Sequence, residues 1–191
     1  MSSGSSLLLG CLTLLCVSAP SHAQGLPPAP SLFPKGAWTI EATGAYAWEF
    51  YPQHHVDMAS GVFGAGYYPW DNFAVSLLAP TYWVTQRDSE DAFMYGLNLS
   101  LRYHFFERDR FTLFGDLIGG LAQANHNVPP GGSYFNFTLQ GGVGTTFKLA
   151  DHVHLQGGVR IFHLSNAATH GISRNPDLNA LQGYAGFIFV F

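Results

Sequence analysis

The strongest constraint on the fold is an alternation of apolar and polar residues with period two, which returns along the chain in eight successive segments. The clearest run from Trp38 to Phe50, Phe93 to Phe105, Phe111 to Ala122, Phe135 to Phe147, Val153 to Ser165 and Asn179 to Phe191, with less regular ones near Met58 to Tyr68 and Phe73 to Trp83. Alternation of this kind sends successive side chains to opposite faces of a strand. Each clear segment is at least as long as the roughly nine to eleven residues that a tilted strand needs to cross a bilayer. No stretch after residue 23 approaches the roughly 18 apolar residues of a membrane helix.

Composition decides which kind of β protein this is. Charged residues make up 10% of the chain, against roughly 25% in soluble domains, while aromatics reach 15%. A soluble lipocalin-like barrel also alternates, but it turns its apolar set inward. Here the faces opposite the aromatic ones carry Glu41, Asn98, Arg102, His104, Asp116, Gln140, Lys148, His154, Arg160 and Gln182, polar and of both signs. A polar interior inside an apolar exterior is the membrane arrangement. The expectation is therefore an all-β fold, an eight-stranded antiparallel transmembrane β-barrel of the bacterial outer membrane.

The connections alternate in length. Pro69 to Asp71, Glu107 to Arg110 and Leu149 to His152 are tight, whereas Tyr51 to Val56, Val84 to Glu90, Asn125 to Ser133 and Asn166 to Leu178 are longer. Short turns face the periplasm and long loops face outward in such barrels, so the strand ending at Ser165 rises to the outer rim. The last strand ends on alternating Phe187, Phe189 and Phe191, which resembles the recognition signal of outer-membrane barrels.

The N-terminus fits an exported protein. Leu7 to Val17 has the length of a signal-peptide apolar region, and Ser21-His22-Ala23 fits the small-x-small rule for cleavage before Gln24. Leu8-Leu9-Gly10-Cys11 superficially resembles a lipoprotein box, but an apolar region ending at Gly10 is too short to use. The chain divides into a signal peptide (1–23), a Pro-rich periplasmic lead or short plug (24–35) and a transmembrane barrel (36–191). Cys11 and Cys16 both lie in the signal, so the mature chain has neither a disulfide nor a thiol nucleophile. A net charge of −4 with both signs mixed along the chain argues against nucleic acid as a partner.

Chemistry concentrates in His163-Leu164-Ser165-Asn166. By parity, His163 and Ser165 share the lipid-facing side with Val153, Leu155, Gly157, Val159 and Ile161. Residues two apart on a strand hold their Cβ atoms roughly 6.5 to 7 Å apart, a span that two side chains close. His163 can then take the Ser165 proton during attack on an ester carbonyl. The Asn166 side-chain amide and the backbone N–H groups of Ala167 or Ala168 are candidate donors to the resulting oxyanion. Elsewhere, adjacent His54 and His55 point apart and lack an acid cluster, and Asp88, Glu90 and Asp91 read as solvated loop charge rather than a calcium site. No metal and no cofactor is implied.

The run His163-Leu164-Ser165-Asn166-Ala167, on the penultimate strand of an eight-stranded barrel, resembles the H-x-S-N-[AG] motif of the PagL family of lipid A deacylases. The resemblance implies hydrolysis of the ester-linked 3-O-acyl chain of lipid A in outer-leaflet lipopolysaccharide, with His163 as base, Ser165 as nucleophile and Asn166 in the oxyanion hole. Its specific content is confined to about Ile161 through Asn179. Two positions depart from the family pattern. Ala168 stands where the best-known members have glycine, and the glutamate that orients the histidine falls at about Asn179. Asn179 shares the outward face and can accept a hydrogen bond from imidazole without offsetting its charge; Asp177 is the nearby acid that could orient it instead. The rival expectation is a non-catalytic small barrel of the OmpA or OmpX type, an adhesin, anchor or narrow pore. A homodimer is left open.

Overall fold

The computed structural model describes residues 31–50, 54–87, 89–169, 171 and 175–191; the expected signal peptide, the first part of the expected lead and Asp88 lie outside the described residues. Eight strands follow in chain order: β1 (Trp38–Glu49), β2 (Val56–Trp70), β3 (Phe73–Gln86), β4 (Ala92–Arg108), β5 (Phe111–Val128), β6 (Ser133–Ala150), β7 (Val153–Ser165) and β8 (Leu178–Val190). Each pairs antiparallel with the next, and β8 returns to β1 over Thr39↔Val190 through Glu49↔Ala180, closing the barrel. Closure leaves no unpaired strand edge, which is what permits a sheet to lie in hydrocarbon.

Two of the outer loops are shorter than their sequence suggests. β5 continues to Val128 and β6 starts at Ser133, so most of Asn125 to Ser133 is strand, and β3 likewise runs on to Gln86. Side chains hold these extensions: Gln86 Nε2 donates to Glu90 O at 2.8 Å and to Asn127 O at 3.1 Å, and Phe93 N donates to Asn125 Oδ1. On the opposite end, the first tight turn falls at Asp71-Asn72 rather than Pro69, with Asn72 taking the positive φ of 64°. Asparagine tolerates that conformation better than most residues.

The exterior is a continuous apolar wall carrying Trp38, Trp70 and Phe191 toward one rim and Trp48, Trp83 and Tyr95 toward the other. The middle of the interior holds a balanced ionic network. Arg160 clasps Asp116 through Nε (3.2 Å) and a terminal nitrogen (2.7 Å). Arg102 reaches Asp116 at 3.4 Å and Glu41 at 3.6 Å, and Gln156 bridges Arg102 and Glu41. Two charges of each sign are thus buried together, with Arg102 over the Phe114 ring and Arg160 over that of Tyr184. Below this band, Phe33 from the segment preceding β1 is fully buried, stacks on His104 and Tyr68 and packs at a tilt against His154. Glu107 fixes it by accepting from Leu32 N and Ser31 Oγ.

The polar interior does not extend to the outer rim. There Met58, Tyr82, Val84, Met94, Phe162, Leu164 and Leu178 form an apolar plug under the loops. In this zone both faces of a strand are apolar, as in Ile161-Phe162, so period-two contrast fades and composition alone does not separate inside from outside. The lumen is thus packed by apolar side chains at both ends with the ionic network between them, as expected for a barrel of eight strands.

Candidate active site on the lipid-facing wall

The register of β7 against β8 determines the site. His163 pairs directly opposite Asn179, one step before the ladder ends at Leu164↔Leu178. Residues facing each other across an antiparallel pair bring their Cβ atoms within about 5.5 Å, close enough for short polar side chains to bond. His163 Nδ1 lies 2.9 Å from Asn179 Oδ1, and His163 Nε2 lies 3.2 Å from Ser165 Oγ. Asn179 Nδ2 in turn donates to Asp177 Oδ2 at 2.8 Å. Four side chains therefore form one hydrogen-bonded row, Ser165, His163, Asn179 and Asp177, along the outside of the barrel near its loop end.

The row is half-buried by its neighbours. Ser165, His163 and Asn179 have intermediate exposure, while Asp177 is exposed at the loop. On the β6 side, Phe137 is paired with Ser165 and Leu139 with His163. On the other side the chain leaving β1 donates from Phe50 N to Asn179 O, and Trp48 flanks through Leu181. Polar groups thus sit among strands whose flanking positions carry apolar side chains of the lipid-facing wall. An ester group at the membrane interface can meet the hydroxyl there while its acyl chain stays in hydrocarbon.

Asn166, one residue past Ser165, takes the opposite parity. It is only 1% exposed and shares the parity of the buried Phe162 and Leu164. Its backbone N–H donates to Asn175 Oδ1 at 3.0 Å, and its carbonyl accepts from both Thr169 N (3.1 Å) and Thr169 Oγ1 (2.9 Å). The two central residues of this tight turn, Ala167 and Ala168, have φ of 51° and 57°. Two left-handed residues in succession with a bond from the fourth residue to the first match a primed β-turn, for which glycine is the usual residue. Alanine holds this shape at a cost of about 1 kcal/mol per residue. The N–H groups of Ala167 and Ala168 have no acceptor among the described residues.

The structure thus brings together His163, Ser165, Asn179 and Asp177, keeps Ala167 and Ala168 beside them on the turn, and buries Asn166. Asn175 was not apparent from the sequence. Its signal is weak, an Asn-Pro dipeptide of the kind that starts turns, in a stretch without strand parity. Among the described residues no group of histidine, cysteine, aspartate and glutamate side chains is arranged to hold a metal ion.

This constellation lies within a matched family signature. The family model described as "Lipid A 3-O-deacylase (PagL)" matches residues 63–187, about two thirds of the chain and all of the hydrogen-bonded row. The chain belongs to the PagL family. No curated individual protein matches it. Among solved structures, the Neisserial surface protein A (NspA) aligns with a TM-score of 0.57 at 20% identity, covering 81% of this chain and 96% of that one. The outer membrane protein OprG of Pseudomonas aeruginosa aligns at 0.54 and 14% identity, covering 84% and 99%. The likeness to these barrels shows the shared fold, and with the PagL match it assigns the protein to the bacterial outer membrane. His163 and Ser165 occupy the loop end of β7, Asn166 follows directly after it, and Asn179 and Asp177 complete the hydrogen-bonded row from β8 and the residue before it.

Proposed function

We propose that this PagL-family barrel is a serine esterase that removes the 3-O-linked acyl chain from lipid A, with Ser165 as nucleophile and His163 as general base. The observation that carries the reading is the contact between His163 Nε2 and Ser165 Oγ at 3.2 Å on the lipid-facing wall, with Nδ1 held by Asn179. A base must lie within roughly 2.6–3.2 Å, heavy atom to heavy atom, of the group whose proton it takes, so this geometry is at the edge of the productive range before substrate arrives.

In this reading lipid A lies against the outer wall, its sugar at the rim and its acyl chain along the apolar surface beside Phe137 and Leu139. Ser165 Oγ attacks the ester carbonyl carbon as its proton passes to His163 Nε2. The tetrahedral oxyanion is received by the N–H groups of Ala167 and Ala168, which have no acceptor among the described residues. Asn166 contributes chiefly by pinning that turn through its carbonyl and its N–H. The intermediate collapses by breaking the bond to the sugar 3-oxygen, which leaves with the proton from His163. Water activated by the same imidazole then hydrolyses the acyl-serine and frees the fatty acid. The filled lumen argues against the narrow-pore form of the rival reading.

The test is mass spectrometry of lipid A incubated with the refolded barrel. Loss of one hydroxyacyl mass with wild type, and none with Ser165→Ala or His163→Ala in barrels that still show heat-modifiable migration, is the expected result. Undiminished hydrolysis by Ser165→Ala would exclude Ser165 as nucleophile.

A further inference from the structure

We propose that Asp177 is a positioning residue that locks the Asn179 side-chain amide, and through it selects the histidine tautomer able to act as a base. The inference rests on the esterase reading for its catalytic consequence but not for its structural content. It follows from hydrogen-bond polarity along the row.

An asparagine side chain presents an acceptor and a donor that differ little in shape, so a half-turn about its last bond exchanges them. At Asn179 the two orientations have opposite consequences. With Oδ1 toward His163, Nδ1 must carry the proton, and Nε2 then offers its lone pair to Ser165. With Nδ2 toward His163, Nδ1 must be the bare acceptor, and Nε2 carries a hydrogen aimed at Ser165. The first tautomer can remove the serine proton. The second cannot.

Nothing in the asparagine alone chooses between them. Asp177 does, because an ionised carboxylate accepts hydrogen bonds and donates none. Placed 2.8 Å from Asn179 Nδ2, it can face only the NH2 end, which forces Oδ1 toward His163. The reversed amide would set two acceptor oxygens against each other. Asp177 is able to do this because it lies two residues before Asn179 and so shares its side of the chain, where Asn179 has just entered β8. An orienting acid that grips the histidine directly combines tautomer selection with charge; here the tautomer is selected at one remove, and the carboxylate stays at the loop.

The test uses the full barrel refolded in detergent micelles with 15N-labelled histidine. The ring nitrogens of His163 are identified by the signals lost in His163→Gln, and spectra are taken at alkaline pH, where imidazoles are neutral. Wild type is expected to show a protonated Nδ1 and a bare Nε2. Asp177→Ala is expected to shift His163 toward the opposite tautomer and to lower kcat about two- to tenfold, the population equivalent of one modest hydrogen bond, with KM unchanged. Asp177→Asn, nearly isosteric but able to donate as well as accept, should move the tautomer in the same direction without emptying the site, which separates the lock from simple loss of packing. An unchanged tautomer in both variants overturns the proposal, as does a shifted tautomer with full kcat. A shifted tautomer in a barrel whose wild type hydrolyses no lipid A would uphold the lock and reject the esterase reading instead.

Discussion

Exchanging the two side chains at 177 and 179 tests how much charge the site lacks. In the double variant Asn179→Asp with Asp177→Asn, a carboxylate faces His163 Nδ1 at the 2.9 Å now spanned by the amide oxygen, and an amide takes the outer place. In a serine-protease triad, replacing the acid by its amide lowers turnover about ten-thousandfold, largely because the amide imposes the wrong tautomer. Here Asn179 already faces His163 with its oxygen, so the tautomer is correct and only the missing charge is at issue. With imidazolium and carboxylate centres about 4 Å apart, their attraction is about 4 kcal/mol at an effective dielectric of 20 and about 1 kcal/mol in bulk water. The row is half-buried, so an intermediate value of about 2 kcal/mol applies, equivalent to roughly thirtyfold in rate. Because the imidazolium exists in the transition state and not in the bound substrate, the gain belongs to kcat with KM nearly constant. The assay is initial-rate hydrolysis of lipid A in mixed micelles by wild type, the double variant and Asn179→Asp alone. The single variant sets two carboxylates side by side and should gain less. A double variant no faster than threefold over wild type would show that charge at this position does not limit the reaction, and a gain of thousands would show that the native tautomer is wrong.

Two further outcomes concern the frame. Asp116→Ala removes the carboxylate shared by Arg160 and Arg102 and leaves two buried guanidinium groups with Glu41 alone; urea unfolding in lipid vesicles should show a loss of about 3–5 kcal/mol, and a loss below 1 kcal/mol would contradict the ionic account of the barrel centre. Ala168→Gly removes the cost of a left-handed alanine at φ 57° and should stabilise the loop-end turn by about 1 kcal/mol in the same assay; destabilisation would mean that the turn has another shape.

Parity carried most of the fold. A strand repeats every two residues without drift, so the eight segments, their inner polar set and closure into a membrane barrel are legible in the sequence without any pairing. Glu41, Asn98, Arg102, His104, Asp116, Gln140, His154, Arg160 and Gln182 are all buried in the lumen; Lys148, near the periplasmic turn, is only partly so. The same rule put His163 and Ser165 outside, because they sit at fixed positions on one strand. Parity was uninformative where both faces are apolar, and so the plug of Met58, Tyr82 and Phe162 was not foreseen. It also failed to bound the outer loops, because cross-strand bonds such as Phe93 N to Asn125 Oδ1 extend a ladder through residues whose own composition reads as loop.

Local sequence thus determined the barrel, its polarity and the outward face of the histidine and serine, since each depends on periodicity within one strand. Tertiary structure decided what those side chains meet. The β7–β8 register set Asn179 opposite His163, the closed β1–β8 seam brought Phe50 beside it, and the loop returned Asn175 to the turn that follows Ser165. Whether Asn179 and Asp177 were alternatives or successive members of one row depended on which amide atom faces which neighbour. That is a property of three side chains meeting across two chain segments, and no one-dimensional pattern encodes it.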